Sequence, residues 1–304
     1  MMRITRSLLL GLCVAFPGIL GAPENAPKVI ASIKPVQSLV AGVMQGIGKS
    51  ALLLKGGASP HDYSLRPSDV RAINDAQVVF WIGEDLETFL LNPLKNTKAR
   101  SVQLMEAPGV ERLAMREGGI WAAHEHQNRE HNNDPHIWLD PQNAEAMIRD
   151  ISTTLAEVDP AHKELYAENA TVLVRRLEDL DRELNSRLEP IKDRPYIVFH
   201  DAYQYFEHHY GLAAAGSITV SPEQKPGARR IQEIRERIRN TEVVCVFSEP
   251  QFEPGLVRVL IENTSARSGV LDPLGTQLPE GPDTYFELLT NLAVSLKRCL
   301  EPKS

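Results

Sequence analysis

The stretch 159–189, "DPAHKELYAENATVLVRRLEDLDRELNSRLE", determines how the rest of the chain is organised. Pro160 lies near its start, where proline suits the first turn of a helix, and Pro190 follows it, where a helix ends. Its apolar side chains recur every three or four residues, at Leu165, Val172, Leu173, Leu177, Leu180 and Leu184. The pattern predicts one long helix over 159–190, about 45 Å in length at 1.5 Å per residue.

Short apolar runs alternate with amphipathic stretches on both sides of this helix. The predicted strands are 28–33, 51–55, 77–83, 101–104 and 136–139 before it, and 196–200, 215–220, 243–249 and 268–272 after it. Runs this apolar suit strands that are covered on both faces, as in parallel sheets flanked by helices. We therefore predict an α/β fold with two Rossmann-like lobes of mostly parallel sheet, at 27–158 and 194–304, joined by one spine helix.

The composition is that of a globular protein with an acidic balance. The chain has 304 residues, of which 42% are hydrophobic and 24% charged, and its formal net charge is -7. This length accommodates two ordinary domains. A negative balance argues against nucleic acid as a partner, because little here would neutralise a run of phosphates. Acidic surface charge is otherwise most often a solubility device.

The N-terminus has the pattern of an export signal. Arg3 and Arg6 precede the apolar run "SLLLGLCVAFPGIL", which is too short to span a bilayer. The small residues Gly21 and Ala22 follow this run. The pattern predicts a cleaved signal peptide over 1–22 and an exported mature protein.

The predicted export places the remaining two cysteines in an oxidising compartment. Without the signal, the chain keeps Cys245, in the strand-like "VVCVFSE", and Cys299, near the end of the last predicted helix. In an oxidising compartment an even pair predicts a disulfide, which would staple the C-terminal helix to the sheet. Two buried free thiols are the alternative.

Four polar residues lie where ligands bind in parallel α/β proteins, beyond the carboxyl ends of strands. His61 lies in the turn-rich "GGASPHDYSLRPSDV", and His136 opens or directly precedes the predicted strand "HIWL". His200 ends "YIVFH" and Asp272 ends "SGVLD". Two of the four belong to each predicted lobe, which places a candidate site in the cleft between the lobes.

Three imidazoles with a carboxylate or a water molecule satisfy a tetrahedral zinc ion. Imidazole nitrogen suits zinc, whereas manganese prefers a larger share of carboxylate oxygen. For any one of these histidines a hydrogen-bonded structural role is the alternative, because sequence spacing alone does not establish that they converge.

Residues next to these positions have competing interpretations. Asp201 is predicted to be the N-cap of the helix after His200 rather than a ligand. Glu249 follows a predicted strand and either accepts a hydrogen bond from a ligand histidine or caps the next turn. His208 and His209 are predicted to be surface or packing residues.

The stretch 116–135, "REGGIWAAHEHQNREHNNDP", has no apolar periodicity and is predicted to be an exposed loop. Its histidines, His124, His126 and His131, have two interpretations. They form a weak accessory metal site, or they are ordinary surface histidines.

Six stretches together point to one family: "ASIKPV", "GGASPHDYSLRPSDV", "DPHIWLDP", "FHDAYQYFE", "FSEPQF" and "LDPLGT". In this order they closely resemble the periplasmic zinc-binding proteins of bacterial high-affinity zinc ABC importers, within the metal-receptor cluster of solute-binding proteins. The resemblance covers essentially the whole mature chain, including the spine helix and the cysteine pair. It implies that His61, His136 and His200 hold the metal in the cleft between two lobes.

The resemblance also implies what the protein does. It would capture Zn²⁺ in the periplasm, without catalysis, and deliver it to a membrane permease driven by a cytoplasmic ATPase; we expect a monomer. Manganese-selective relatives carry a carboxylate at the position matching His200, so a histidine there favours zinc. Some zinc members have an acidic residue before the first histidine. Here that position is Pro60, which leaves Asp272 or a water molecule as the fourth ligand, and the prediction is Asp272, coordinating directly or through water. A manganese or iron receptor and a secreted zinc hydrolase are the alternatives.

Overall fold

The computed structural model of the chain describes residues 26–116, 121, 133–219, 226–252 and 255–302. Its strands are β1 Val29–Ala31, β2 Ser50–Leu52, β3 Val78–Trp81, β4 Arg100–Gln103, β5 Tyr196–His200, β6 Ala214–Thr219, β7 Cys245–Ser248 and β8 Arg267–Val270. Its helices are α1 Lys34–Val43, α2 Pro67–Asp75, α3 Leu91–Lys95, α4 Pro141–Val158, α5 Lys163–Leu188, α6 Gln204–Tyr210, α7 Ala228–Asn240, α8 Gly255–Ile261 and α9 Thr284–Leu300.

The strands form two four-stranded parallel sheets that share one topology. The first has the order β2-β1-β3-β4 and the second the order β6-β5-β7-β8. In each sheet the first and third strands in the chain lie side by side, which is where successive connections leave in opposite directions and where ligands bind in such folds. The prediction of an α/β fold with parallel sheets is confirmed.

The long helix α5 lies between the two sheets in the chain, as predicted, although its ends differ. It runs from Lys163 to Leu188, and single 3-10 turns at Pro160–His162 and Glu189–Ile191 flank it. Proline lacks the N–H that a continuing helix needs, which explains why the regular helix is shorter than 159–190. Helix α5 packs against α1, α4 and α9.

No helix within the described residues is both long enough and apolar enough to cross a membrane.

The second sheet separates two hydrophobic cores by the alternation of its side chains. Tyr196 and Val198 of β5 contribute to the large core, which also contains leucines of α5 and α9. Ile197 and Phe199 contribute instead to a smaller core with residues of α7 and α8. Successive strand residues point to opposite faces, so both faces of this sheet are covered.

The predicted strand at 136–139 is wrong. Residues Ile137–Leu139 form one 3-10 turn, and helix α4 begins directly after it with Asp140 as its N-cap. All three apolar side chains are fully buried, so their run reflects burial and not strand pairing. Pro135 and Pro141 bracket the segment and leave room for a single turn.

A disulfide joins Cys245 at the start of β7 to Cys299 near the end of α9, with the two Cα atoms 6.1 Å apart. Both cysteines are buried. The predicted link between the C-terminal helix and the sheet is confirmed.

Candidate metal centre

Three imidazoles from distant parts of the chain converge at one point. The ring centroids of His61, His136 and His200 lie 5.3 to 5.6 Å from one another. One potential ligand atom from each lies within 4.8 Å of the other two. His136 and His200 are each only 4% exposed, so two of the three rings are shielded from solvent.

The orientation of His200 is set by Glu249. His200 is the last residue of β5, and Glu249 follows the adjacent strand β7, at the point of this sheet where ligands are expected. The His200 Nδ1 atom lies 2.6 Å from Glu249 Oε1. A carboxylate can only accept, so Nδ1 carries the proton and Nε2 keeps a lone pair for a metal ion.

Asp134 sets the orientation of the His136 ring in the same way. The carboxylate oxygen Oδ1 of Asp134 lies 2.7 Å from His136 Nδ1 and also accepts the His136 backbone N–H at 2.9 Å. The proton again sits on Nδ1 and leaves Nε2 free. Burial lowers the pKa of His136 well below its usual value, and the neighbouring His200 lowers it further. The ring is therefore neutral at neutral pH, which is the form that binds metal.

The spacing of the two buried ligand nitrogens matches zinc. The Nε2 atoms of His136 and His200 lie 3.4 Å apart. Two nitrogens at 2.0–2.1 Å from a tetrahedral Zn²⁺ are separated by about 3.3–3.4 Å. The two rings therefore stand at a spacing that a single tetrahedral zinc ion can bridge.

His61 reaches the cluster from the turn between β2 and α2. Gly56 and Gly57 before it have φ values of +73° and +77°, a conformation that glycine adopts without strain. The backbone N–H of His61 donates to Ser59 Oγ at 3.3 Å. His61 is half-buried, so it is the most accessible of the three rings.

Asp272 is not part of the group of converging ligand atoms among the described residues. Its Oδ1 accepts the Leu274 N–H at 3.1 Å, and its Oδ2 accepts the N–H and the hydroxyl of Thr276, each at 2.7 Å. The carboxylate thus organises the turn 272–276. An aspartate after a predicted strand is compatible both with organising a turn and with binding a metal ion. The sequence alone therefore does not distinguish these two roles.

The turn 272–276 closes one side of the site by contacts with the first half of the chain. Lys34 Nζ donates to the carbonyls of Thr276 and Leu278 at 2.9 and 2.7 Å. Trp138 Nε1 donates to the Pro273 carbonyl at 2.8 Å. The cleft is lined by residues from both halves of the chain: Ser59, Pro60, His61, His136, Trp138, His200, Glu249, Gln251, Phe252, Pro273 and Leu274.

Asp201 pairs with a residue that sequence reasoning did not connect to it. Helix α6 begins at Gln204 with Tyr203 at its N-cap, so the predicted N-cap role of Asp201 is wrong. Instead, the Arg116 Nε atom lies 3.1 Å from both carboxylate oxygens of Asp201. Arg116 also donates to Glu207 Oε2 at 2.7 Å. One guanidinium thus bridges two carboxylates, Asp201 next to His200 and Glu207 of α6, and its single positive charge offsets one of their two negative charges.

Three further groups of residues bear on the site: the loop histidines, Asp134 and Gln251. His124, His126 and His131 lie outside the described residues. Asp134 was missed as the partner of His136, although its position two residues before a ligand histidine is a local signal. Gln251 was missed because glutamine in "FSEPQF" carries no distinguishing pattern.

Replacing Glu249 with glutamine will weaken zinc binding about 10- to 100-fold, the range typical of residues that orient a ligand. A neutral amide polarises the His200 ring less than the carboxylate and can present its NH₂ group in the wrong direction. Zinc affinity measured by competition with a chromophoric chelator tests this. Glu262→Gln, an exposed residue after α8, is the control. Equal affinities of the two variants would contradict the role of Glu249.

The fold and the cluster define a class of protein: an α/β receptor that holds a metal ion on imidazoles at the carboxyl ends of two parallel sheets. A family model described as zinc-uptake complex component A, periplasmic (ZnuA), matches residues 29–299. The chain is 47% identical to the high-affinity zinc uptake system protein ZnuA of Brucella abortus (strain 2308), over 90% of this chain and 91% of that relative.

Solved structures agree with the sequence comparison. A crystal structure of ZnuA superposes with a TM-score of 0.78 at 26% identity, covering 91% of this chain and 100% of the other. A zinc-bound deletion mutant of ZnuA gives a TM-score of 0.77 at 26% identity, with 92% and 100% covered. The chain belongs to the ZnuA family of periplasmic zinc-uptake components.

Proposed function

We propose that the protein captures Zn²⁺ with high affinity in the periplasm and delivers it to the membrane permease of an ABC importer, which a cytoplasmic ATPase drives. The observation that carries this proposal is the pair of His136 and His200 Nε2 atoms, 3.4 Å apart, with each Nδ1 held by a buried carboxylate. Both nitrogens are already deprotonated and aimed, so little reorganisation opposes binding.

Zinc is favoured over manganese or iron by the donor set. The three converging side chains all offer imidazole nitrogen, and Mn²⁺ prefers carboxylate and water oxygen. The carboxylates close to the cluster, Asp134, Glu249 and Asp272, all accept hydrogen bonds within the protein. A manganese or iron receptor of the same fold is the second candidate.

The metal is cargo in this proposal and takes part in no reaction. The family is one of solute-binding receptors. A secreted zinc hydrolase would need a group placed to move protons to and from a substrate. The carboxylates at the site, Asp134 and Glu249, are engaged with the ligand histidines instead.

The remaining parts of the chain have roles in the same proposal. Residues 1–22 form the cleaved signal peptide and lie outside the described residues. The lobes 27–158 and 194–304 enclose the ion, and the protein acts as a monomer. The loop histidines His124, His126 and His131 collect zinc weakly.

A metal competition titration tests the function. The purified mature protein, stripped with a chelator, should bind one Zn²⁺ tightly at pH 7.5, and a large excess of Mn²⁺ or Fe²⁺ should not displace it. A second, weaker zinc-binding event would report the loop histidines. Elemental analysis after equilibration with equal concentrations of the three ions gives the preferred metal directly. Tighter binding of Mn²⁺ or Fe²⁺ would contradict the zinc assignment.

A further inference from the structure

Gln251 is a polar residue of the metal cleft whose side-chain oxygen accepts no hydrogen bond from the described part of the chain. It lies in the turn after β7 and lines the same cleft as His61, His136 and His200. Its Oε1 atom is buried and, among the described residues, receives no hydrogen bond. Leaving a carboxamide oxygen buried and unpaired costs free energy, so such an atom calls for a donor from a ligand.

Asp272 determines which way the Gln251 amide faces. The Gln251 Nε2 atom lies 3.4 Å from Asp272 Oδ1. A carboxylate cannot donate, so the amide nitrogen must face Asp272 and the oxygen must face away from it. Asp272 itself is held by the Leu274 N–H and by the N–H and hydroxyl of Thr276, which gives the amide a fixed neighbour.

Other polar side chains of the cleft already make hydrogen bonds within the protein. Glu249 holds His200, Ser59 Oγ accepts the His61 N–H, and Trp138 donates to the Pro273 carbonyl. A zinc ion on three imidazoles takes water as its fourth ligand, and metal-bound water is a strong hydrogen-bond donor. The zinc-bound water can donate a hydrogen bond, and the Gln251 Oε1 atom in the same cleft can accept one.

We propose that the Gln251 carboxamide oxygen accepts a hydrogen bond from the water molecule that completes the coordination of the captured zinc ion. Asp272 then acts as a positioning residue that keeps the amide in this orientation and does not itself bind the metal. This inference rests on the proposed function, because it needs zinc as the cargo. It accounts for the turn 272–276 lying at the site while the Asp272 carboxylate stays outside the ligand group.

The test compares two glutamines whose side-chain oxygens are both buried. Gln251→Leu removes the acceptor at similar size and should weaken zinc binding about tenfold, within the range for residues that support a metal ligand. Gln37→Leu is the matched control. Among the described residues Gln37 likewise has a buried Oε1 that receives no hydrogen bond, but it lies on α1 and does not line the cleft. Its affinity for zinc should equal that of the unchanged protein. Equal affinity of Gln251→Leu and the unchanged protein would overturn the inference.

Gln251→Glu separates an acceptor role from a structural one. A carboxylate keeps the acceptor but loses the N–H that Gln251 donates to Asp272, so Gln251→Glu should bind zinc more tightly than Gln251→Leu without needing to reach the affinity of the unchanged protein. If Gln251 only supported the turn at Asp272, the added charge beside that carboxylate would make Gln251→Glu at least as weak as Gln251→Leu, and this result would overturn the inference.

The absorption bands of bound Co²⁺ should change in Gln251→Leu and not in Gln37→Leu, whereas identical spectra would contradict contact with the fourth ligand. If the unchanged protein binds no zinc, the proposed function fails; tight binding that is insensitive to Gln251 removes only this inference.

Discussion

Replacing His200 with asparagine will lower the affinity for Zn²⁺ by about 100- to 1,000-fold. Zinc sites with four ligands bind with roughly 10–16 kcal/mol, which is about 2.5–4 kcal/mol for each ligand, and 1.4 kcal/mol corresponds to a factor of ten. His200 is buried and its Nε2 atom lies 3.4 Å from that of His136. Solvent therefore has poor access to the position that this nitrogen leaves.

Asparagine is the sharpest substitution because it separates the two nitrogens of the ring. Its amide nitrogen takes the place of Nδ1 and can still donate to Glu249, which lies 2.6 Å away in the present structure. Alanine would instead leave the Glu249 carboxylate buried without this partner, which destabilises the fold and confuses the result. The asparagine variant keeps this contact and lacks only the metal-binding nitrogen.

The control is His208→Asn, a histidine exposed on helix α6. Both variants are titrated with zinc against a competing chelator at pH 7.5, and their thermal unfolding is compared without metal. The control should bind zinc as the unchanged protein does. An affinity of His200→Asn within threefold of the control, in a folded protein, would show that His200 is not a ligand.

The position of His200 at the candidate site could be predicted because local sequence reports where strands end. His200 ends an uninterrupted apolar run, which the structure shows as the buried strand β5. Residues at the carboxyl ends of parallel strands face the same edge of the sheet, so a polar residue there is a candidate ligand wherever the partner strands are. The same reasoning placed Asp272 at the site, but it could not show which hydrogen bonds its carboxylate makes.

The rest of the site depends on contacts between distant residues, which one sequence does not reveal. Arg116 and Asp201 are 85 residues apart and form an ion pair, so the local pattern around Asp201 suggested only a helix cap. His209 gives a second case, because it lies between Asp140, the N-cap of α4, and Asp181 of α5. Burial lowers its pKa, but these two hydrogen-bonded carboxylates outweigh that effect and raise it to about 9.

Removing the disulfide between Cys245 and Cys299 will lower the free energy of unfolding of the metal-free protein by about 4 kcal/mol, the loop-closure value for a separation of 54 residues. The bond restricts the unfolded chain, so its loss stabilises the unfolded state more than it changes the folded one. Urea unfolding of Cys245→Ala/Cys299→Ala measures this loss. The unchanged protein reduced under chelating conditions is the control, because it keeps both sulfur atoms and lacks only the bond.

Zinc affinity should change less than twofold in the same variant, because the disulfide and the metal lie at opposite ends of one strand. Cys245 opens β7 and Glu249 follows it, so four residues of extended chain, about 13 Å, separate them. Bound zinc stabilises only the folded state, by an amount that grows with free zinc, so unfolding must be measured without metal. A loss below 1 kcal/mol would contradict the role of the bond. A parallel fall in zinc affinity would show instead that the staple at the far end of β7 also holds Glu249 against His200.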